Sequence, residues 1–289
     1  MVIKFFSWYG GKIRCLPQLR VLISEHSAYY ELCAGSAALC LNKSRAKIEV
    51  LSDLDYEIYC LHKTMSQKQE GKELCEKLIE LEYSKEIFEN ARKAKIGGFA
   101  GMSEMEIAVN AFILISQSFN ATRTHWRKGV KQKDYTRRLR NNLPKVYERL
   151  QGVQVWNRNC IEVLKEKDIG GNPDAFVFLD VPYRWSLRGK GATNVYGAEM
   201  DDEAHIALLK VLQTCKCKVI LCGYRETEGE VLYDSYLQPY GWRCLRIASL
   251  PKSSQSGKKK RNRGEEFVWL NYEPPAFARY FIDFGAENL

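Results

Sequence analysis

The chain has 289 residues, and its 45% hydrophobic and 27% charged content is typical of a globular enzyme or binding protein with a full core. No apolar run approaches the roughly 18 residues of a membrane span, and the N-terminus lacks the layout of a signal peptide. These features argue against a membrane or exported protein and predict a cytoplasmic location. The formal net charge of +9 favours an acidic partner.

Cysteine and histidine usage gives no sign of a metal or disulfide framework. Ten cysteines are scattered, and the only close pair is Cys215 and Cys217. The four histidines include no His-x-x-x-His pair. We therefore expect reduced cysteines and no metal site.

The first two motifs suit a nucleotide-like cofactor. Residues 6–12 are Phe-Ser-Trp-Tyr-Gly-Gly-Lys. The adjacent glycines let the backbone lie close to a ligand, and the ammonium of Lys12 can pair with a carboxylate or phosphate. A predicted strand over 28–33 then runs into the small-residue turn 34–38, which opens a helix through Leu41. In Rossmann-type units a cofactor meets a helix N-terminus at such a turn.

A second strand, from Ile48 to Leu51, ends near Asp53, 18 positions after Gly35. An acid at that distance can hold the two ribose hydroxyls of a cofactor. The alternative is that Asp53 only caps the helix predicted from about Tyr56 to Met65.

Helical patterns then dominate from about Lys63 to Leu150. Residues 70–82 and 85–95 are charged and amphipathic, and a capping box at 103–106 precedes a long apolar helix to about Ser118. We interpret this region as a helical insertion that carries the positive surface of the protein.

Basic residues are concentrated in two runs. Either run alone is compatible with a solvated face, but two runs, with Trp126 and Tyr135 interleaved in the first, favour salt-sensitive binding to nucleic acid phosphates. The first run contains Arg123, Arg127, Lys128, Lys131, Lys133, Arg137, Arg138, Arg140, Lys145 and Arg149. The second contains Lys252, Lys258, Lys259, Lys260, Arg261 and Arg263.

Strand patterns return at about Val153. We predict strands over 153–156, 175–179, 218–222, 243–248 and 266–271, with Asp201 capping a helix over 202–215. Alternating strands and helices indicate a mostly parallel sheet with helices on both faces. The second basic run falls in the loop between the last two strands.

The strand at 175–179 leads into Asp180-Val181-Pro182-Tyr183. At the edge of an open α/β sheet these residues offer a hydrogen-bond acceptor, a stiff turn and a flat aromatic face. A carboxylate and a neighbouring carbonyl can accept both hydrogens of an exocyclic amine, so the group suits a planar substrate such as adenine. The alternative is an ordinary strand that ends in a turn.

Four motifs, in this order, resemble those of the Dam-like N6-adenine DNA methyltransferases: residues 8–12, residues 31–35, Asp53, and residues 180–183. Residues 118–123 look like the segment with which that family enters DNA, and residues 263–271 are similar to its closing strand. The resemblance extends over nearly the whole chain. It implies an α/β fold with a Rossmann-like S-adenosylmethionine-dependent methyltransferase sheet (residues 1–62 and 151–289) and an inserted helical target-recognition domain (63–150).

The family resemblance also implies roles for individual residues. The target pocket would be formed by Asp180, the carbonyl of Val181, Pro182 and Tyr183. S-adenosylmethionine would be bound by Trp8, Tyr9, Lys12, Glu31, Cys33, Ala34, Gly35, Asp53, Asn159, Cys160 and Asp180. The segment similar to the one that enters double-stranded DNA contains Phe119, Asn120 and Arg123, and on hydrogen-bond chemistry we hypothesise that Asn120 reads adenine and Arg123 guanine. On charge, we expect the two basic runs to contribute the DNA contacts Arg127, Lys128, Arg137, Lys258, Lys259, Lys260, Arg261 and Arg263.

The implied activity is methyl transfer from S-adenosylmethionine to N6 of an adenine that is flipped out of duplex DNA. We expect a bacterial or phage-encoded enzyme of the restriction-modification type, monomeric in solution and without a metal. Three departures from the family pattern stand at Ala37, where glycine is common, at Asn159, where an acid is frequent, and at Val181, which replaces a proline. An RNA adenine methyltransferase or a catalytically silent DNA-binding homologue are the alternatives; a cytosine-N4 enzyme is disfavoured because that group tends to carry Ser where this chain has Asp180.

Overall fold

Seven strands form the sheet of the protein in its computed structural model, which describes residues 2–187, 198–226, 231–251 and 263–282. In hydrogen-bonded order they run β3-β2-β1-β4-β5-β7-β6. Their bounds are β1 (Ala28–Leu32), β2 (Ile48–Ser52), β3 (Gln154–Trp156), β4 (Ala175–Leu179), β5 (Lys218–Gly223), β6 (Arg243–Pro251) and β7 (Arg263–Leu270). The pairs β2–β3, β1–β4 and β4–β5 are parallel, and β7 is antiparallel to both β5 and β6. The prediction of a mostly parallel α/β sheet is confirmed.

Strand β4 is buried along its whole length, because each of its five residues is apolar. An uninterrupted apolar run is typical of a parallel strand that is covered on both faces. In the parallel register Leu179 of β4 lies opposite Leu32 of β1 and Leu221 of β5. The chain therefore leaves β1 and β4 at the same edge of the sheet, and Asp180 begins there.

The helices predicted from the sequence are present in the described chain, together with four that the sequence patterns did not delineate, at residues 16–22, 132–150, 160–164 and 232–237. They are α1 (Leu16–Leu22), α2 (Ala38–Asn42), α3 (Tyr56–Ser66), α4 (Lys68–Ile79), α5 (Lys85–Ile96), α6 (Glu104–Gln117), α7 (Gln132–Leu150), α8 (Cys160–Leu164), α9 (Asp202–Leu212) and α10 (Leu232–Leu237). The predicted capping box is present, since Ser103 and Glu106 each accept the other's backbone N–H. Asp201 caps α9 by accepting the N–H of Ala204 at 2.8 Å.

The chain divides into two compact units. The first comprises Met1–Ile13, Ala34–Ser44 and Glu49–Asn157, and the second comprises Arg14–Cys33, Arg45–Ile48 and Arg158–Leu289. In the first unit, α3 packs against α4, α6 and α7, and α5 packs against α6. The predicted insertion at 63–150 lies inside this unit, and its standing as a separate domain remains a prediction.

The two aromatic residues interleaved in the first basic run have packing roles within the first unit. Tyr135 is 1% exposed and its hydroxyl is 2.7 Å from that of Ser116. Trp126 packs, partly buried, against a cluster that includes Phe88 and Leu114. Both rings are therefore placed by packing within the first unit.

A buried ion cluster joins β2, α7 and the residue after α2. Arg149 donates two hydrogen bonds to the carboxylate of Glu49, at 2.6 and 2.8 Å, and Lys43 donates a third at 2.6 Å. All three residues are less than a tenth exposed. Burial alone would raise the pKa of Glu49, but the hydrogen bonds from Arg149 and Lys43 outweigh it and lower that pKa. Arg149, counted in the basic run, is thus an internal partner of Glu49.

We expect Arg149→Met to lower the free energy of unfolding by about 3 to 5 kcal/mol, because it removes one member of a buried charge cluster. Urea unfolding measures this change. The matched control is Arg140→Met on the exposed side of the same helix, for which we expect a change within about 0.5 kcal/mol. Equal effects for the two variants would contradict a structural role for the Arg149–Glu49 contact.

Candidate active site

The glycine-lysine motif of the first unit forms a tight turn. The N–H of Gly11 donates to the carbonyl of Trp8 at 3.1 Å, and Gly10 has a φ of 70°. Lys12 is buried, and its ammonium donates to the carbonyl of Gly10 at 2.8 Å. Trp8 and Tyr9 are half-buried beside this turn. The hydrogen bond from Lys12 therefore stabilises the turn beside which the rings of Trp8 and Tyr9 lie.

The turn before α2 is built from left-handed residues. Cys33, Gly35 and Ala37 have φ values of 66°, 47° and 52°. A Cβ on Gly35 would lie 2.6 Å from Nε1 of Trp8, so only glycine leaves room for the indole. Ala37 has the same backbone class, which favours glycine, and as an alanine it is strained by about 1 to 2 kcal/mol.

Gly35 is held through both of its backbone polar groups. Its N–H donates to Oδ2 of Asp53 at 2.8 Å, and its carbonyl accepts from Nε2 of His62, also at 2.8 Å. His62 is 1% exposed, and burial lowers its pKa to about 4 against the raising effect of the Gly35 hydrogen bond. The ring is therefore neutral at pH 7. His62 was not predicted as a site residue. Its position four residues after Ile58 places it on the apolar face of α3, and that burial is the only local signal the sequence offers for it.

Asp53 connects this turn to the start of α3. Its Oδ1 accepts the N–H of Asp55 at 2.9 Å, and its own N–H donates to the carbonyl of Trp156 at 3.2 Å. The residue that caps α3 is Asp55, whose side chain accepts the N–H of Glu57. The alternative that Asp53 caps this helix is therefore wrong.

The carboxyl group of Asp53 titrates at an unusually high pH. Burial, and then the nearby charge of Asp55, raise its pKa to about 6, while the N–H groups of Gly35 and Asp55 and the charge of Arg123 act in the opposite direction. Protonation removes the charge and one hydrogen-bond acceptor site. The ionised form predominates only above about pH 6.

The predicted DNA-binding residues of the first unit fall into two groups. Phe119 is 49% exposed and Asn120 is exposed, with a φ of 51° in a short 3-10 turn. Arg127, Lys128 and Arg137 are exposed as well, and Arg137 pairs with Asp134 at 2.8 Å.

Arg123 is instead 5% exposed, and its Nη1 lies 2.7 Å from Oδ2 of Asp55. This is not the exposed position that a guanine-reading side chain requires. Of the second basic run, Lys258, Lys259, Lys260 and Arg261 lie outside the described residues, and Arg263 begins β7.

In the second unit, the residues after β4 pack closely. Val181 is 1% exposed, Tyr183 is 8% exposed, and Asp180 and Pro182 are half-buried. The hydroxyl of Tyr183 donates to Oε2 of Glu266 at 2.7 Å. Burial, and then the charges of Glu266 and Asp180, raise the pKa of Tyr183 well above its usual value, so the phenol stays protonated.

Two neighbours of Tyr183 were not predicted from the sequence. Its ring meets Tyr224 edge to face, with centroids 4.6 Å apart, and Tyr224 lies just after β5. Arg184 donates two hydrogen bonds of 2.9 Å to Asp202 and pairs with Glu226. Tyr224 directly follows a buried strand, and that position is a sequence signal for a residue at the site. The contact between Tyr183 and Glu266 has no such local signal, because the two residues are 83 positions apart in the sequence.

The remaining predicted cofactor residues of the second unit lie at the ends of elements. Glu31 on β1 is 2% exposed and accepts a hydrogen bond from the hydroxyl of Tyr29 at 2.8 Å. Asn159 caps α8, since its Oδ1 accepts the N–H of Ile161 at 2.8 Å, and Cys160 is the buried first residue of that helix.

Comparison with protein-family models matches residues 8–243, more than half of the chain, to the family described as D12 class N6 adenine-specific DNA methyltransferase. The chain belongs to that family. It is therefore an enzyme that methylates adenine at N6 in DNA, as the resemblance implied. A search of curated proteins found no match.

Two further observations concern the methyltransferase within its described residues. None of the helices there is long and apolar enough to cross a membrane. In the same part of the chain, no group of three or more His, Cys, Asp or Glu side chains is arranged to hold a metal ion.

The three departures from the family pattern have local explanations in this methyltransferase. Ala37 is left-handed and fully buried, so its methyl group contributes packing while its backbone is strained. Asn159 performs the helix-capping role that an aspartate would perform. The Val181 side chain is buried, and as the residue before Pro182 it is biased to extended geometry.

If the turn before α2 holds the methyl donor, Gly35→Ala should weaken donor binding by about tenfold or more, because the added Cβ forces Trp8 to move. Calorimetric titration with S-adenosylmethionine measures the affinity. Gly98→Ala is the matched control, since Gly98 has a φ of +66° but a Cβ there would meet nothing within 4 Å. If both variants bound the donor as the wild type does, contact between Trp8 and Gly35 would have no part in the site.

Proposed function

We propose that this methyltransferase uses S-adenosylmethionine as its methyl donor and acts on an adenine that is turned out of the duplex. The observation that carries the proposal is the sequence Asp180 to Tyr183 directly after the buried strand β4, with the tyrosine ring held by its hydroxyl contact to Glu266. The acceptor, the stiff turn and the anchored ring are the groups that a planar amine requires.

The first unit offers a turn that fits the donor. Gly35 keeps its backbone N–H and carbonyl fixed, and Trp8 lies against its Cα. The ionised carboxylate of Asp53 suits a pair of ribose hydroxyls. Following the family resemblance, we assign Trp8, Tyr9, Lys12, Glu31, Cys33, Ala34, Gly35, Asp53, Asn159, Cys160 and Asp180 to the donor.

When bound, S-adenosylmethionine would supply a methyl group on a sulfonium, whose sulfur would keep the electron pair of the carbon–sulfur bond as the methyl group passes to the amine nitrogen. The carboxylate of Asp180 and the carbonyl of Val181 accept hydrogen bonds from the two N6 hydrogens. This draws the nitrogen lone pair out of conjugation with the ring. Asp180 is also the group that receives the proton which the nitrogen releases. Orientation and electrostatic placement supply most of the rate enhancement.

Flipping the base costs a few kcal/mol, and stacking on Tyr183 returns about 1 to 3 kcal/mol. Because the ring of Tyr183 is already held by a hydrogen bond, it loses little further conformational entropy when the base stacks on it. The hydroxyl contact to Glu266 therefore favours stacking, because the ring is already oriented.

Contacts with the duplex are proposed for the exposed residues. Arg127, Lys128 and Arg137 are suited to phosphates, and Asn120 can read adenine bidentately. Phe119, exposed in the same turn as Asn120, suits stacking between bases. Lys258, Lys259, Lys260, Arg261 and Arg263 are proposed as phosphate contacts on their charge alone.

The organisation of the enzyme completes the proposal. Residues 63–150 act as the target-recognition domain, and the protein works as a monomer without a metal. A chelator should therefore leave the rate unchanged, and activity should be proportional to enzyme concentration.

Asp180→Ala should lower methyl transfer by about a hundredfold or more, because the N6 hydrogens lose their charged acceptor. Affinity for duplex DNA should stay within a few fold of the wild type. Asp174→Ala, an exposed aspartate just before β4, is the control and should leave the rate unchanged. Undiminished turnover in Asp180→Ala would overturn the assignment of Asp180.

The decisive experiment is transfer of a labelled methyl group from S-adenosylmethionine to unmethylated duplex DNA, followed by mass analysis of the nucleosides. We expect the label in N6-methyladenine. Absence of label despite tight donor binding would redirect the assignment to RNA, which the same assay tests with unmodified ribosomal RNA. Absence of both label and donor binding would mean that the three departures have silenced the pocket.

A further inference from the structure

Arg123 is a buried cation in a segment whose neighbours are exposed. Its guanidinium lies 2.7 Å from Asp55 and 3.3 Å from Glu57, and Glu57 is also paired with Lys95. Only 5% of Arg123 is exposed, whereas Phe119 is 49% exposed. A buried arginine is retained in this way only when its charge is compensated and its donors are used.

The backbone around Arg123 is strained. Asn120, Ala121 and Arg123 have φ values of 51°, 57° and 62°, a left-handed conformation that non-glycine residues rarely adopt. The N–H of Arg123 donates to Oγ of Ser118 at 3.0 Å. Such strain persists where surrounding contacts over-determine it and is concentrated at functional sites. The buried guanidinium is the contact that holds this segment to α3.

Asp55 connects Arg123, through hydrogen bonds, to the left-handed turn before α2. One of its oxygens receives Arg123, and the other accepts the N–H of Glu57 at the start of α3. Its own N–H donates to Asp53, which in turn accepts the N–H of Gly35. Arg123 is therefore linked to the backbone of Gly35 through two residues, Asp55 and Asp53.

A second route runs through Trp8. The guanidinium carbon of Arg123 lies 5.3 Å from the centre of the Trp8 ring, within the range of a cation–π contact. Trp8 in turn lies against Gly35, where an added Cβ would be 2.6 Å from its Nε1. Arg123, Asp55, Asp53, Gly35 and Trp8 thus form a closed ring of contacts within the first unit.

We propose that Arg123 is a positioning residue of the methyl-donor site, which fixes Asp53 and Trp8 and ties them to the segment that presents Phe119 and Asn120. The inference rests on the proposed donor role of those residues. It gives Arg123 a part in cofactor binding in place of reading guanine. A lysine could supply the charge but could not reproduce the planar contact with both Asp55 and Trp8.

The ring of contacts has an electrostatic consequence. Asp53 is influenced by the acidic group of Asp55 and the basic group of Arg123. Arg123 also contacts Glu57, which is paired with Lys95, and the neutral ring of His62 contacts the carbonyl of Gly35. Arg123 is the cation that lowers the pKa of Asp53. Its removal should raise that pKa above about 6 and reduce the ionised fraction at neutral pH.

The test compares Arg123→Met, Arg123→Lys and the matched control Arg137→Met, which removes an exposed arginine of the same basic run. Donor affinity is measured by calorimetry with S-adenosylmethionine between pH 5 and pH 8.5, and duplex affinity is measured separately. We expect Arg123→Met to bind the donor about tenfold or more weakly at pH 7 and to shift the midpoint of the pH profile upward. Arg123→Lys should bind weakly but keep the wild-type midpoint, and Arg137→Met should lose affinity only for the duplex.

A second measurement needs no donor. The side-chain carboxyl of Asp53 is titrated by NMR in the wild type, Arg123→Lys and Arg123→Met, and the midpoint should rise only in Arg123→Met. An unchanged Asp53 midpoint in Arg123→Met, or wild-type donor affinity in either Arg123 variant, would overturn the proposal. If Arg123→Met does not fold, the donor affinity of Arg123→Lys decides. If the wild type fails to bind the donor while the Asp53 midpoints differ as expected, the proposed function fails and the positioning role stands.

Discussion

The backbone of Gly35 is the point on which the left-handed turn of the first unit depends. Asp53 accepts its N–H and His62 donates to its carbonyl, so the peptide groups on both sides of the residue have fixed orientations. A backbone fixed in this way can lie close to a ligand without a loop rearrangement on binding. Nε2 of His62 can donate to this carbonyl in either protonation state of the ring, whereas the ionised carboxylate of Asp53, which predominates above about pH 6, is the stronger acceptor for the N–H.

The pKa values of His62 and Asp53, the two hydrogen-bond partners of Gly35, shift in opposite directions, and both shifts change how the stability of the protein depends on pH. The folded-state pKa of His62, about 4, lies below its usual value of 6.5, so the unfolded chain binds more protons in that interval and this residue's contribution to stability is lost as the pH falls. The folded-state pKa of Asp53, about 6, lies above its usual value of 3.8, so its contribution to stability decreases as the pH rises. Between about pH 4 and pH 6 the two effects oppose each other, and global unfolding cannot report on either residue alone.

Most of the fold could be predicted from the sequence because its signals are local. Apolar runs such as β4, the capping box at Ser103 and the cap at Asp201 depend on residues within a few positions of one another. The order of the motifs likewise predicted the family. These features need no knowledge of which distant residues meet.

The partners of individual side chains could not be predicted in the same way. Arg123 and Arg149 read as surface charges in a basic run, yet they pair with Asp55 and Glu49, which lie 68 and 100 positions away. The contacts of Gly35 with His62 and of Tyr183 with Glu266 are also distant in sequence. Charge type and local spacing are the same for an exposed arginine and for one that compensates a buried acid, so only the fold separates them.

The burial of Arg123 and Arg149 limits how strongly the enzyme responds to salt. The exposed cations of the first basic run are Arg127, Lys128, Lys131, Lys133, Arg137, Arg138 and Arg140. With about 0.9 counterions released for each phosphate neutralised, these seven exposed cations together would contribute a slope of about −6 in a plot of log affinity against log salt. The number of basic residues in the run therefore overstates the polyelectrolyte character of this surface, since two of the ten, Arg123 and Arg149, are already paired with acids inside the protein.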